Sequence, residues 1–177
     1  MAQPYPKGLS VGDKAPGFTG TDSKGNLVSL DKQLKKGAVV LIFYRGQWCP
    51  FCNKQLSSLN DSLQAIVSKG ATLVAITPET VDNVEKTIGK TKASFPIISD
   101  SDLKIMKSYQ VDFSVDQATQ DRYKKFGIDF AVANGSNGAN LPVPATYVIG
   151  KDGKIKYVFF NPDYRLRPSV KEIVEHL

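Results

Sequence analysis

The amino-acid sequence predicts an α/β protein whose central sheet mixes parallel and antiparallel strands and is flanked by helices. Two patterns predict this class. Apolar runs at residues 38–44 and 71–77 enclose a helical pattern, which indicates a βαβ unit with parallel strands and a right-handed crossover. Near the other end of the chain, residues 146–160 have the two short strands and central turn of a β-hairpin, which contributes an antiparallel pair.

The first strand of the βαβ unit, residues 38–44 (AVVLIFY), is continuously apolar and rich in β-branched and aromatic residues. This composition predicts a central strand that is buried on both faces. After a turn at residues 45–47, apolar residues recur at alternating spacings of four and three, which is typical of one helix face, up to a stop at Gly70. The positions with this spacing are Cys52, Leu56, Leu59, Leu63 and Ile66.

The other elements follow from turn residues, caps and periodicity. Residues 18–30 predict a small N-terminal hairpin, and Ser169 is a typical N-cap for a helix that runs to Leu177. Residues 134–140 (NGSNGAN) predict an exposed loop, because glycine and asparagine dominate them. The remaining predicted elements are helices at about 79–93, from a cap at 100–102 to 109, and at 116–127, and a short strand at 95–98.

Length and composition limit the possible functions. The 177 residues match the size of one domain, so we expect a single domain over residues 1–177. The net charge is +6, but the lysines are scattered and no basic stripe with interleaved aromatic residues occurs, which argues against nucleic acid as a partner. The sequence has neither a signal-peptide pattern nor an apolar run of about 18 residues, so we expect a cytoplasmic protein that does not bind membranes.

The stretch YRGQWCPFC holds both cysteines of the chain, Cys49 and Cys52. A small core residue suits Cys52, at the start of the apolar helix face, but not Cys49, which falls at or before the first helical turn. A zinc site needs about four ligands, and the chain has one histidine, His176. Haem attachment needs a histidine where Asn53 stands. Redox chemistry that uses neither metal nor cofactor is the interpretation that remains.

A C-x-x-C motif between a strand and a helix of a βαβ unit is typical of thiol redox proteins. Cysteines one helical turn apart are close enough to bond, and the positive end of the helix stabilises a thiolate on the first of them. Cys49 is then the nucleophile and Cys52 the resolving partner. Arg45 can add a positive charge beside them, although a solvated surface arginine fits the sequence equally well.

Four further residues are candidates for substrate binding or activation at the sulfurs. Val143 and Pro144 precede a predicted strand, and a cis peptide bond between them would turn backbone polar groups toward the cysteines. A trans proline at the start of the strand fits the sequence equally well. Trp48 forms either an apolar wall beside the sulfurs or part of the core, and Tyr44 is a candidate hydrogen-bonding group.

Longer motifs extend this pattern over most of the chain, from about Val11 to Leu177. They are VGDKAPGFTGTDSKGNLVSL, FYRGQWCPFCNKQL, YKKFGIDF, LPVPATYVIGKDGKI and NPDYRLRP. Together they resemble the peroxiredoxin-like proteins of the AhpC/TSA group, within the thioredoxin-fold superfamily. The resemblance implies a thioredoxin-like fold with an N-terminal β-hairpin extension.

The resemblance also implies an antioxidant enzyme that reduces hydrogen peroxide or organic hydroperoxides. By position, Cys49 would be oxidised to a sulfenic acid, and Cys52 would resolve it as an intramolecular disulfide. A thiol reductant such as thioredoxin or glutathione would restore the two thiols. Related proteins often dimerise, so the resemblance also allows a homodimer.

The sequence departs from the peroxiredoxin pattern at three positions. Ile42 and Gly46 stand where peroxiredoxins have a proline and a threonine before the reactive cysteine, and Pro144 stands where they have an arginine. Arg45, Arg165 or Arg167 can replace that arginine. These changes resemble thioredoxins and glutaredoxins, so a general thiol-disulfide oxidoreductase is an alternative to the peroxidase. A third possibility is a thioredoxin-like binding module without catalytic activity.

Overall fold

A computed structural model describes residues 4–177 and contains nine strands in that range. The strands are β1 (Thr19–Thr21), β2 (Leu27–Ser29), β3 (Val39–Phe43), β4 (Thr72–Thr77), β5 (Ile97–Ser99), β6 (Asp112–Ser114), β7 (Asn140–Pro142), β8 (Ala145–Ile149) and β9 (Ile155–Phe160). Five of them form a central sheet in the order β5-β4-β3-β8-β9. The pairs β3–β4 and β4–β5 are parallel, whereas β3–β8 and β8–β9 are antiparallel. The mixed α/β class predicted from the sequence is therefore confirmed.

The helices lie between these strands along the chain. They are α1 (Leu30–Lys36), α2 (Pro50–Asp61), α3 (Leu63–Val67), α4 (Val81–Thr91), α5 (Lys104–Ser108), α6 (Gln117–Lys125), α7 (Phe130–Asn134) and α8 (Val170–Glu175). Short 3-10 turns occur at Ser101–Leu103 and Gly135–Asn137. No helix between residues 4 and 177 has the length and apolar composition of a membrane span.

The central strand β3 divides the core into two layers, because successive side chains of a strand point to opposite faces. Leu41 and Phe43 pack on one face with Tyr109 of the segment that follows α5. Ile42 packs on the other face with Leu56 of α2 and with both cysteines. Every residue of β3 is fully buried, as its apolar sequence predicts. The cysteines thus lie where α2 covers one face of the sheet.

Both predicted hairpins are confirmed, as β1–β2 and β8–β9, and so is the parallel βαβ unit. The helix predicted after the cysteines is two helices, because Ser62 leaves the helical conformation, with φ −107° and ψ 15°, and separates α2 from α3. The predictions did not include α1, β6, β7 or α7. The single domain over residues 1–177 stays a prediction.

The prediction of an exposed loop at residues 134–140 is wrong in part. Asn134 is only 3% exposed, and its Nδ2 donates hydrogen bonds to the carbonyls of Gly138 and Asn140. Nδ2 of Asn137 donates to the carbonyls of Pro78 and Asp100, at 2.9 Å each. Amide side chains thus satisfy buried backbone groups at the ends of two strands and tie this segment to the sheet.

Asp100 directly follows β5, the edge strand of the central sheet, and its hydrogen bonds can be tested. Its buried carboxylate accepts hydrogen bonds from the backbone N–H groups of Ile105 and Met106, at 3.0 and 2.8 Å. We expect Asp100→Ala to lower the free energy of unfolding by about 1–3 kcal/mol, because buried amides lose their acceptor. Urea denaturation measures this change. Asp61→Ala, at an exposed helix end, should change it by less than about 0.5 kcal/mol, and equal losses in both variants would contradict this account.

Candidate active site

The sulfur atoms are positioned by the first turn of α2. Cys49 is the N-cap of this helix, with extended backbone angles (φ −90°, ψ 107°), and Pro50 occupies the first turn, where a missing N–H costs nothing. The Cys49 Sγ accepts a hydrogen bond from the backbone N–H of Cys52, at 3.3 Å. Cys49 thus lies at the N-terminal, positive end of a helix, as the sequence predicted.

Cys49 and Cys52 are joined by a disulfide, and their Cα atoms are 5.3 Å apart. The expectation that Cys49 lies outside the core is wrong: only 1% of this residue is exposed, and it packs in the same apolar cluster as Cys52. The reason is the cap itself, which turns the sulfur toward the helix and its bonded partner. Both cysteines are thus almost closed to solvent in the disulfide form.

Gly46 lies in the loop between β3 and Cys49. Because it has no side chain, it leaves space for a buried carboxyl group. A Cβ atom at this position would overlap the Glu79 Oε1 and the Trp48 Nε1. Glu79 Oε1 accepts a hydrogen bond from the backbone N–H of Gln47 at 2.7 Å, and the Gly46 carbonyl accepts one from the N–H of Cys49 at 3.1 Å. The loop before the cysteines is therefore anchored on Glu79, at the end of β4.

Glu79 is not among the site residues predicted from the sequence. This residue is fully buried, and burial raises the pKa of its carboxyl group to about 8, while the Gln47 amide, Lys90 and Lys86 oppose the shift. The Glu79 Oε2 and the Trp48 Nε1 are both buried without a hydrogen-bond partner. A signal was present in the sequence, since an acidic residue closely follows a buried strand that pairs in parallel with β3.

Arg45 is buried, so its interpretation as a solvated surface residue is wrong, and a positive charge from it at the sulfurs stays a prediction. It is 5% exposed, and its guanidinium lies over the rings of Trp48, Tyr123 and Tyr164, at 4.9, 5.6 and 4.2 Å from their centroids. Its Nη2 donates a hydrogen bond to the Tyr123 hydroxyl, at 2.5 Å. Aromatic faces attract a cation, and more strongly where water is excluded. The ring contacts thus hold this charge in place.

Trp48 joins two parts of the core. It is half-buried, and its ring meets those of Tyr123 and Phe130 edge to face, at 5.7 and 5.9 Å. It also packs against the apolar cluster that contains both cysteines. Trp48 is therefore partly buried against the core, and its prediction as an apolar wall beside the sulfurs stays a prediction.

Tyr44, Val143 and Pro144 are all buried near the ends of β3 and β8. The Tyr44 hydroxyl donates a hydrogen bond to the Thr87 Oγ1, at 3.1 Å, and burial raises its pKa. The peptide bond between Val143 and Pro144 is trans, which decides between the two conformations left open by the sequence. Pro144 stands directly before β8, where a missing N–H is tolerated.

The two C-terminal arginines have different environments. Arg165 is exposed and forms an ion pair with Asp163, with the Arg165 Nε 2.8 Å from the Asp163 Oδ1. Arg167 is partly buried, and its Nη2 lies 3.1 Å from the Cys52 Sγ. Burial and the neighbouring Arg45 lower the pKa of Arg167 to about 10, so it is still protonated at neutral pH. Of the two candidates, Arg167 reaches a sulfur and Arg165 does not.

A cleft of about 420 Å³ adjoins Arg45 on the side of Val143 and Pro144. Aromatic residues form much of its wall, including Phe113, Tyr123 and Tyr164. Charged residues, Arg45, Arg122 and Asp116, also line it. A concave, mostly apolar surface with a few charged groups is typical of sites for small organic molecules.

Glu79 predicts a pH-dependent stability. Its pKa is about 8 in the folded protein, against 4.5 for an unperturbed carboxyl group. Between pH 4.5 and pH 8 the folded protein therefore binds a proton that the unfolded chain does not. The contribution of Glu79 to the free energy of unfolding should be complete below about pH 4.5. It should fall by up to about 1.4 kcal/mol per pH unit as pH rises to 8, and level off above.

Urea denaturation of the oxidised protein and of Glu79→Gln from pH 5 to 9 measures this difference. The variant cannot ionise, so the stability of the natural protein relative to it should decline with rising pH. Glu85→Gln, on the exposed face of the following helix, is the matched control and should leave the pH profile unchanged. A constant difference between the natural protein and Glu79→Gln would contradict the raised pKa.

Comparison with known proteins places this site in a family. The family model described as AhpC/TSA matches residues 11–158. The chain is 28% identical over 166 residues to peroxiredoxin Q of Oryza sativa subsp. japonica, covering 92% of this chain and 66% of that protein. It is 27% identical over 148 residues to the thiol-disulfide oxidoreductase ResA of Bacillus cereus, covering 83% of this chain and 68% of that protein.

Among solved structures, the peroxidoxin BcpB of Mycobacterium tuberculosis matches with a TM-score of 0.69 and 22% identity, over 86% of both chains. The chain therefore spans just under two thirds of the rice relative and most of the mycobacterial structure. The structural match confirms the thioredoxin-like fold expected from the sequence. Because the family model covers most of the sequence, including both cysteines, this chain belongs to the AhpC/TSA family.

Proposed function

We propose that this protein is a thiol peroxidase in which Cys49 reduces hydrogen peroxide or an organic hydroperoxide. The observation that carries the proposal is the Cys49–Cys52 disulfide at the N-terminus of α2, in a chain of the AhpC/TSA family. Relatives named peroxiredoxin support the same activity. The helix N-terminus and the Cys52 amide stabilise negative charge on Cys49, which the attacking thiolate needs.

The reaction has three balanced steps. The Cys49 thiolate attacks one peroxide oxygen and breaks the O–O bond, which leaves a sulfenic acid and, after proton uptake, an alcohol or water. Cys52 then attacks the Cys49 sulfur, forms the disulfide and releases water. Two thiols of a reductant restore the dithiol and leave as a disulfide. A reductant of the thioredoxin or glutathione type, a cytoplasmic location and a homodimer are parts of this proposal that the sequence suggested.

A thiol-disulfide oxidoreductase is the second candidate. Ile42, Gly46 and Pro144 replace three residues of the peroxiredoxin pattern, and one relative is named a thiol-disulfide oxidoreductase. Hydrogen peroxide and cumene hydroperoxide consumption, compared with reduction of insulin or a glutathione mixed disulfide, distinguishes the two activities. A protein that does neither, with both thiols unreactive, would instead be the non-catalytic binding module.

The cleft beside Arg45 supports organic hydroperoxides as one substrate class, because its aromatic wall can cover an apolar group. We expect Phe113→Ala to raise the KM for cumene hydroperoxide about 5- to 30-fold, from the loss of roughly 1–2 kcal/mol of apolar contact. The KM for hydrogen peroxide should change less than about twofold, because it has no apolar part to bind. Phe126→Ala, on an exposed surface away from the cleft, is the control. Parallel increases for both peroxides would argue against substrate binding in the cleft.

The cysteine roles are tested one at a time. Cys49→Ser should abolish peroxide consumption, because it removes the nucleophile. Cys52→Ser should react once with peroxide, at a similar rate, and accumulate a sulfenic acid that a sulfenate-specific label detects by mass spectrometry. Rapid mixing with peroxide measures the first step in both variants. If both variants are equally inert, or if Cys52→Ser alone is inert, the assignment of the roles is wrong.

A further inference from the structure

The guanidinium of Arg167 contacts the resolving sulfur, not the attacking one. Its Nη2 is 3.1 Å from the Cys52 Sγ. The Cys49 Sγ has a different donor, the backbone N–H of Cys52 at 3.3 Å. The two sulfurs therefore have separate sources of positive charge, a helix N-terminus for Cys49 and a full cation for Cys52.

Arg167 is held in this position by three other elements of the structure. Its Nε donates to the Gln55 Oε1 at 3.0 Å, and the Gln55 Nε2 donates to the Thr146 Oγ1 of β8 at 3.3 Å. Its Nη1 donates to the carbonyls of Tyr164 and Leu166. Gln55 is on the same helix as Cys52, one turn further on. The arginine is thus aimed at the sulfur by α2, β8 and its own loop.

No carboxylate balances this charge within the described chain. The ion pairs found among residues 4–177 involve Lys124, Lys156, Arg165 and Lys171, but neither Arg45 nor Arg167. Burial of an unpaired cation is costly. Burial first, and the neighbouring Arg45 second, lower the pKa of Arg167. The disulfide is neutral and cannot offset this cost. A Cys52 thiolate, which forms when the disulfide opens, supplies the missing negative charge.

We propose that Arg167 is a catalytic residue that stabilises Cys52 as a thiolate. The inference rests on the proposed redox cycle of Cys49 and Cys52. It acts in two steps of that cycle. In resolution, the Cys52 thiolate attacks the Cys49 sulfenic acid, the S–S bond forms, and the departing hydroxide takes a proton and leaves as water.

In reduction, the thiolate of the reductant attacks the Cys49 sulfur. A bond forms between the reductant and Cys49, the Cys49–Cys52 bond breaks, and Cys52 leaves as the thiolate beside Arg167. A second reductant thiolate then attacks the sulfur of the first and releases Cys49. Exchange is faster when the leaving thiol is more acidic, so Arg167 directs the reductant to Cys49 and promotes opening of the disulfide.

The ionisation of Cys52 alone tests this proposal without any peroxide. In Cys49→Ser the serine keeps the helix cap, and Cys52 is the single thiol, so ultraviolet thiolate absorbance or the pH profile of alkylation gives its pKa. With Arg167 present, we expect a pKa below the usual value of about 8.5. Adding Arg167→Gln should raise it by at least about one unit, which is tenfold in the ionisation constant. Arg167→Lys keeps the charge but loses the planar guanidinium group, so it should give a Cys52 pKa between the other two.

Two matched variants separate this role from general effects of charge or packing. Arg165→Gln removes the same charge two residues away, where the arginine is exposed and paired with Asp163, and should move the Cys52 pKa by less than about 0.3 units. In a Cys52→Ser background, Arg167→Gln should change the Cys49 pKa less than it changes that of Cys52. Circular dichroism confirms that each variant is folded. An unchanged Cys52 pKa in folded Arg167→Gln, or a larger change at Cys49, would overturn the proposal.

Equilibration of the two-cysteine protein with glutathione redox buffers measures the consequence for the disulfide. Charge-assisted hydrogen bonds contribute about 1.5–3 kcal/mol. At a pH above the Cys52 pKa of both proteins, where the whole change in ionisation appears in the equilibrium, we therefore expect Arg167→Gln to shift it toward the disulfide by at least about tenfold, and Arg165→Gln by less than about twofold. An equal shift in the two variants would contradict the proposal. A protein inactive toward peroxide that still gives these shifts would refute the peroxidase activity and leave the role of Arg167 intact.

Discussion

The capped N-terminus of α2 is the constraint on which the rest of the site depends. Cys49 ends the loop that leaves β3 and begins the helix, and its sulfur accepts the backbone N–H of the residue to which it is also bonded. This geometry needs a helix that starts immediately, which Pro50 favours by its fixed φ angle. It also needs a rigid strand behind the loop. The full burial of β3 between two apolar layers supplies that rigidity.

Three buried or partly buried ionisable side chains surround this helix end, and each is oriented by a different part of the fold. Glu79 anchors the loop from the end of β4, Arg45 is enclosed by aromatic rings, and Arg167 reaches Cys52 from the segment before α8. Such groups are costly to bury, and they cluster at sites where charge changes during a reaction. Formation of the disulfide removes the negative charge of a thiolate. The net charge of the site therefore differs between the oxidised and reduced states.

Sequence patterns predicted the parts of the fold that depend on local periodicity and on turn residues. The central strand, both hairpins and the βαβ unit follow from apolar runs and glycine-containing turns. The buried position of Asn134 could not be predicted in this way, because its polar amide is satisfied only by backbone groups that tertiary folding brings near. The break at Ser62 is similar, since a helical apolar spacing continues across it.

The candidate site, too, could be predicted from the sequence only in part. The two cysteines were identifiable from their spacing. The positions of Arg45 and Arg167 were not, because Arg45 is bonded to Tyr123, 78 positions away, and Arg167 to Cys52, 115 positions away. The burial of Cys49 was wrongly predicted because the sequence shows where a helix begins but not which way a cap side chain turns. Glu79 was missed because its contacts, with the Gln47 amide and with the space left by Gly46, form only in the folded chain.

The space left by Gly46 explains one of the positions at which the sequence departs from the peroxiredoxin pattern. A threonine at position 46 would place a Cβ against the Glu79 carboxyl and the Trp48 indole, so the glycine and the buried acid depend on each other. The proline at position 144 similarly leaves no arginine at the start of β8, and the cation near the sulfurs comes from the C-terminal segment instead. Its contact is with the second cysteine. In the proposed cycle this is the sulfur that closes and opens the disulfide, so the cation of this chain lies beside the resolving cysteine and not at the start of β8.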